Sequence, residues 1–377
     1  TRGGGDLVSF IYPMYRFAAQ SLHNGELPLW NPFLYAGAPF LADNQSGLFY
    51  PPNLLLFLFN PRPSYRAIEG LVLFHFWLAG TSLYLCLRGW QPQNRVAILP
   101  AMLGGLAFMF SDLFITHVGN LNLNAVIAWL PLALLGLHRA SAADGWQMQL
   151  RWALFGGLVV SVSTLAGHGQ MTFMTGLFLG CYGLYRAVVG RNGRSFIHLA
   201  IIGAVGIAGA ALALLPAVLL IPHTVRSGFD FAQSTNYSLP LAGLVGLLAP
   251  DFYGRGIMGF WGGWPRVEAG YAGLLPWLLA PLPFLLGKTR KALFFALAGL
   301  LFLLLALGSS SPVYGWLFGW LPVVPFQVPA RFVVLLNLCL AMLAAFGLDE
   351  LLKQIEPQRA RRLKADFSSA FSASFAV

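Results

Sequence analysis

A few polar residues in this otherwise apolar chain carry atoms suited to a definite chemistry. Asp6 follows Gly3-Gly4-Gly5, whose permissive backbone lets a substrate come close, and its carboxylate can take a proton from an attacking hydroxyl. It can equally cap a helix starting near Leu7. Asp43-Asn44-Gln45, His168 and Gln170 in "LAGHGQMTF", and Asp251 in "APDFYG" supply amides, an imidazole and carboxylates suited to hydroxyl groups. The same residue types also build turns and caps. Arg331 in "QVPARF" offers a planar fork for two phosphate oxygens, or an anchor that snorkels to lipid headgroups; Arg16 and Arg66 are weaker examples. His117, Asn120, Asn122 and Asn124 form one more polar turn.

The elements that must position these groups follow from composition. With 57% hydrophobic and 10% charged residues, the chain is too apolar for a soluble domain and reads as a membrane protein. Apolar runs fit helical spans at 66–88, 95–113, 123–139, 151–167, 170–189, 196–222, 271–287, 292–308 and 332–352. Strands would need the alternation of a barrel, which is absent, so the fold class is all-α and polytopic with about nine transmembrane helices.

Lys and Arg set the expected orientation. Fifteen of the 23 cations fall on one alternating set of connections, from Arg88 to Lys364, which is expected to be cytoplasmic. Residues 1–65, 223–270 and 309–331 are then external, residues 66–352 form the bundle, and residues 353–377 are a cytoplasmic tail. The net charge of +10 is mostly this topology signal and argues against nucleic-acid binding. The external acids are Asp6, Glu26, Asp43, Asp230, Asp251 and Glu268, with Glu69 and Asp112 near span ends.

The three external loops are rich in Trp, Tyr and Phe and are expected to pack as an ordered layer. Within the first, "LVSFIYPMYRFAAQSLHNG" reads as a short amphipathic helix ending at Asn24-Gly25, and Trp30, Tyr35 and Tyr50 suit the headgroup level. The external start at Thr1 implies one more span upstream. The tail "ADFSSAFSASFAV" shows no caps or turn signals, and no structure is expected there. Cys86, Cys181 and Cys339 lie inside apolar runs and read as packing residues.

"GGGDLVSFIYPMYRF", "GELPLWNPFLYAGAPFLADNQSGLFYPPNLL", "AGHGQ", "APDFYG" and "VPARFVVLLNLCLAMLAAFGLDEL" occur in the order found in YfhO-like bacterial membrane proteins, which the chain resembles to about Glu350. The resemblance implies a GT-C glycosyltransferase fold, a polyprenyl-phosphate sugar donor, and transfer on the outer face of the cytoplasmic membrane. It also implies a catalytic acid in the first external loop, which here is Asp6. The expected acceptor is an envelope glycan or polymer. A divalent cation, Mg²⁺ or Mn²⁺, is an open option, with Asp251 as a partner for Asp6, but no local spacing announces a site. No Gly-rich phosphate loop on the cytoplasmic side suggests a nucleotide-sugar donor. The alternatives are a transporter or flippase of lipid-linked glycans, for which paired broken helices and a repeat are not evident, and a non-catalytic scaffold.

Overall fold

The computed structural model describes residues 5–91, 95–224, 230–254, 259–262, 264, 266–287, 289–320 and 327–374, with side chains to residue 355 except 289 and 290. The first loop, ahead of the bundle, begins with a π-turn, Leu7–Ile11, that runs into α1 (Tyr12–His23). A two-residue antiparallel ribbon follows, β1 (Trp30–Asn31) with β2 (Ala38–Pro39), pairing Trp30 with Pro39. A 3-10 turn at Asn44–Ser46 and α2 (Pro51–Phe59) complete it. The bundle opens with α3 (Tyr65–Gly89), α4 (Ile98–Met109), α5 (Asp112–Thr116), α6 (Leu121–Ala128) and α7 (Leu130–Ala142). It continues with α8 (Trp146–Leu165), α9 (Gly169–Val188), α10 (Arg194–Gly209) and α11 (Ala211–Leu220). The second long loop carries α12 (Phe231–Ser234) and leads to α13 (Leu274–Leu279), α14 (Leu282–Leu285), α15 (Thr289–Ala306), α16 (Pro312–Trp320) and α17 (Val333–Ser374).

Helices lie where the nine spans were expected, but only five or six of them are long and apolar enough to count as spans. Among the described residues, five are long and apolar enough to cross a membrane: Tyr65–Gly89, Ile98–Thr116, Leu121–Ala142, Trp146–Leu165 and Pro329–Ile355. A sixth is added if α10 and the segment Ala211–His223 count as one span, bent by 79° at Gly209–Ala210. Helix α9 has 20 residues, and the remaining two places hold the shorter apolar helices Leu274–Leu285 and Lys291–Ala306. The C-terminal segment departs from expectation: the backbone of α17 continues to Ser374, where no structure was expected.

The core follows from α17. Its stretch Val333–Phe346 is apolar apart from Asn337, and protein rather than lipid encloses it. It packs against α4, α13, α14 and α15, and Leu335, Leu338, Cys339, Ala341 and Met342 are fully buried. Close approach elsewhere depends on small residues, as between α7 and α8, where a methyl group on Gly136 would come within 2.6 Å of the Gly156 Cα.

Buried hydrogen bonds fasten the first loop to this bundle. The Asn53 amide donates to the Tyr15 hydroxyl (2.7 Å) and to the Gly47 carbonyl (3.1 Å). The Tyr50 hydroxyl lies 2.7 Å from His75 Nε2 and accepts from Trp129 Nε1 at 2.9 Å. Tyr50 is therefore a buried anchor rather than the headgroup residue expected, whereas Trp30 and Tyr35 are exposed. The other two long loops also join: Val328 N donates to Asn236 O (2.9 Å), Ser309 N to Ser238 Oγ (3.0 Å) and Tyr314 Oη to Ser234 O (3.2 Å).

Candidate functional site

A polar cluster is centred on Glu268, whose side chain has no solvent exposure. Arg266 grips it with two bonds, Nε to Oε2 at 2.9 Å and Nη2 to Oε1 at 2.6 Å. His117 Nε2 stands 3.4 Å from Oε1, and Arg331 Nε stands 3.8 Å from the same oxygen. Burial by itself would raise the Glu268 pKa, but the bonds and charges of His117 and Arg266 outweigh it and hold the carboxyl well below its usual range. The carboxylate is thus ionised, and the cations around it outnumber it. A site with that balance can receive an additional anion at its rim.

Backbone contacts set the position of Glu268. Asp112, at the start of α5, accepts the amides of Ala269 (2.7 Å) and Gly270 (3.0 Å) on Oδ2, while its own amide donates to Tyr271 O (2.8 Å). Trp264 Nε1 donates to the Glu268 carbonyl (2.9 Å), which closes the loop on itself. Arg331 is set by a second route, since its Nη1 donates to Gln170 Oε1 at 3.0 Å. Gln170 Nε2 in turn donates to the carbonyls of Gln327 (2.8 Å) and Val328 (3.2 Å). The "GHGQ" and "VPARF" motifs therefore meet.

Beside the cluster is a cavity of about 430 Å³ walled by Thr235, Tyr237, Ser238, Trp264, Arg266 and Ser309. The Arg266 guanidinium lies over the Tyr237 ring, 4.3 Å from its centre. Two residues at this junction hold left-handed backbone that their side chains disfavour, Tyr237 (φ 62°) and Val328 (φ 66°). Rings, hydroxyls and a guanidinium thus line this cavity and offer faces to stack on, hydrogen-bond donors and charge for an anion.

Asp6 is exposed at the head of the π-turn and makes no capping bond with its side chain, so the capping alternative is not realised. Its backbone lies against Gly119, where a methyl group would come within 3.8 Å of Asp6 N. Gly119 is two residues from His117, a chain distance of about 7 Å at most. Asp6 thus borders the turn whose first residue touches Glu268.

The other expected site residues fall into three groups. Asp43 caps the 3-10 turn by accepting Gln45 N (3.0 Å), and Asn122 Nδ2 donates to Gln45 O (2.6 Å). Gly167 adopts φ 86° with its α-carbon against Asn44 O, so the Asp43–Gln45 segment and Arg331 flank one turn, residues 167–170, from two sides. His168 caps α9 by accepting Met171 N (3.3 Å) on Nδ1. Arg16 donates to the Tyr12 hydroxyl (3.2 Å), Arg66 lies in the first turn of α3, and Asp251 occupies a turn closed by Gly254 N to its carbonyl (2.9 Å). Among the described residues, no three His, Cys, Asp or Glu side chains converge as a metal cage would, and Glu268, ringed by cations, is unsuited to holding a metal ion. Glu268, Arg266, Trp264 and Tyr237 were not singled out from the sequence. The available signal was "RVE", opposite charges two apart, which share a face in extended chain.

The chain matches the family described as "Bacterial membrane protein YfhO" over residues 4–365. No curated relative matches in sequence. In structure it is similar to ArnT from Cupriavidus metallidurans, crystallised with undecaprenyl phosphate, at a TM-score of 0.52 and 15% identity. That likeness covers 89% of this chain and 55% of ArnT, so the chain spans little more than half the length of its structural neighbour. The shared architecture is the GT-C-like helical bundle.

Proposed function

Because the chain belongs to the YfhO family of bacterial membrane proteins, we propose that it is a membrane glycosyltransferase that uses a polyprenyl-phosphate sugar donor. The observation that carries this reading is the cation-rich Glu268 cluster between the Asp6 turn and an aromatic, hydroxyl-lined cavity. Asp6 takes the proton of the acceptor hydroxyl as its oxygen bonds to the anomeric carbon of the sugar. The bond from that carbon to the phosphate oxygen breaks, and polyprenyl phosphate leaves. Arg331 and Arg266 hold the phosphate, whose charge rises as the bond breaks. Glu268 keeps both guanidiniums in place, and Tyr237 with Trp264 offers the sugar a stacking wall. The external loops face away from the cytoplasm, and the acceptor is an envelope glycan or polymer. ArnT, of similar fold, was crystallised with a polyprenyl phosphate, which supports that donor class.

A transporter would place polar or ionisable groups at a helix break near mid-membrane. The break at Gly209–Ala210 instead leads into α11, "ALALLPAVLL", which has no ionisable residue.

The test is sugar transfer from polyprenyl-phosphate donors in membranes containing the full-length protein. Asp6→Asn keeps shape and hydrogen bonding but removes the base, so transfer should fall about 10²-fold or more while insertion is unchanged. Undiminished transfer by well-expressed Asp6→Asn rejects Asp6 as the base. A wild type inactive across a donor panel rejects the transferase reading.

A further inference from the structure

A second cavity, of about 460 Å³, lies at the other end of the bundle, where α9 ends and α15 begins. Arg186 and Gln170 sit on α9 sixteen positions apart, which separates this cavity from the Glu268 cluster by about 24 Å along the helix. Two cations line it, Arg186 and Lys291, with Tyr185, Phe294 and Phe295 among the aromatic walls.

The cations are unequally matched. Lys291 Nζ is 3.4 Å from Glu350 Oε1, a carboxylate shared with Lys353 at 4.0 Å. Arg186 donates Nη2 to the Ser141 carbonyl (3.0 Å), and its buried Nε has no hydrogen-bond partner. Among the described residues no carboxylate lies within ion-pair distance of it. Although Arg186 also meets the Tyr182 hydroxyl, its guanidinium keeps an unused donor in an aromatic cavity, which an anion can take. His138, also on the wall, is not that group's partner: its Nδ1 meets the Tyr182 hydroxyl (2.5 Å) and its Nε2 the Trp90 carbonyl (2.8 Å).

We propose that this cavity binds a phosphate-bearing group, with the phosphate on Arg186 and Lys291 and the remainder against the aromatic wall. The volume lies within the range of small-ligand sites, about 300–1,000 Å³, and exceeds what a bare phosphate fills. The position favours a phospholipid headgroup over a soluble phosphate ester. Val188 and Val189, beside the cavity, are 65% and 52% exposed, as lipid-facing side chains at the end of a span would be. The acyl chains can therefore run along α9 while the head enters. This site is separate from the proposed donor site, and its test does not depend on transfer activity.

The experiment is native mass spectrometry of the full chain in detergent, offered phosphatidylglycerol or diacylglycerol, which lacks the phosphate. Wild type should retain phosphatidylglycerol in preference. Arg186→Gln should weaken retention about tenfold or more, the equivalent of one lost charged hydrogen bond. Lys291→Gln and Val189→Trp should weaken it as well, the latter by filling the cavity with both cations intact. If Arg186→Gln misfolds, shown by loss of a monodisperse peak, Val189→Trp decides the question. Displacement of the lipid by millimolar inorganic phosphate would identify a soluble ester as the ligand source, and no displacement would identify the lipid head. Equal retention of diacylglycerol by wild type, or undiminished phosphatidylglycerol on folded Val189→Trp and Lys291→Gln, overturns the proposal.

Discussion

Asp112 Oδ2 accepts the amide of Gly270 at 3.0 Å across 158 residues of sequence, and this bond docks the second long loop onto the start of α5. The companion bond from Ala269, at 2.7 Å, fixes the residue next to Glu268. The carboxylate at the centre of the site is thus held through its backbone as well as its charge.

Removing that support should loosen the loop before it touches the chemistry. Asp112→Ala leaves two buried amides unsatisfied and should cost about 3 kcal/mol. Thermal unfolding in detergent should show the loss, with Asp112→Asn intermediate because it keeps one acceptor. An unchanged melting temperature in Asp112→Ala would mean that the loop is held by other contacts.

Acid should act through Glu268. Its folded pKa lies below its ordinary value of 4.5, so its stabilising contribution is full above about pH 5 and is lost as pH falls toward the depressed folded value. Glu268→Gln leaves Arg266 and Arg331 without their counter-charge and should cost about 3–5 kcal/mol at neutral pH. It should also flatten the dependence of stability on pH below 5 relative to wild type. Denaturation followed from pH 7 to 3 checks both; parallel curves for the two proteins would remove Glu268 from the account.

Gly167 has no room for a side chain. With φ 86° and a built Cβ only 1.9 Å from the Asn44 carbonyl oxygen, Gly167→Ala must push the Asn44–Ser46 turn away. Limited proteolysis should then cut the first external loop faster than in wild type, while the bundle stays intact. Equal cutting rates would show that the loop docks without this contact.

Sidedness can be read by labelling. Cysteine at the exposed positions Glu26, Ala232 and Ser310 should react with an impermeant thiol reagent in intact cells, and cysteine at Ala142 and Gly193 should not. The reverse pattern would invert the proposed topology and remove transfer on the outer face.

Much of the fold was legible because hydropathy reports where helices lie. Tyr65–Gly89 and Trp146–Leu165 fall within a few residues of their expected bounds, and α1 ends at His23, just before the expected Asn24-Gly25 stop. Hydropathy does not report backbone continuity, so the break at Gly209–Ala210, between apolar residues, was invisible. The site was half legible. Arg331 and Gln170 announced themselves as polar residues at apolar boundaries, and they bond each other. Glu268 did not, because its partners His117 and Arg331 come from distant segments and "WPRVEAGY" has no periodicity. Tyr50 misled for a related reason: an aromatic with a hydroxyl suits the headgroup level, but two buried partners drew it inward.

The enclosure of Val333–Phe346 sets a schedule for biogenesis. This helix is surrounded by α4, α13, α14 and α15, yet a ribosome makes it after all of them. The earlier helices must enter the bilayer with a seam still open among them, lined by residues such as Phe108 and Phe295 that later become fully enclosed. This part of the bundle closes only when α17 leaves the translocon and slides into that seam. Until then the nascent protein exposes to lipid, or to an insertion chaperone, the surface that will become its interior.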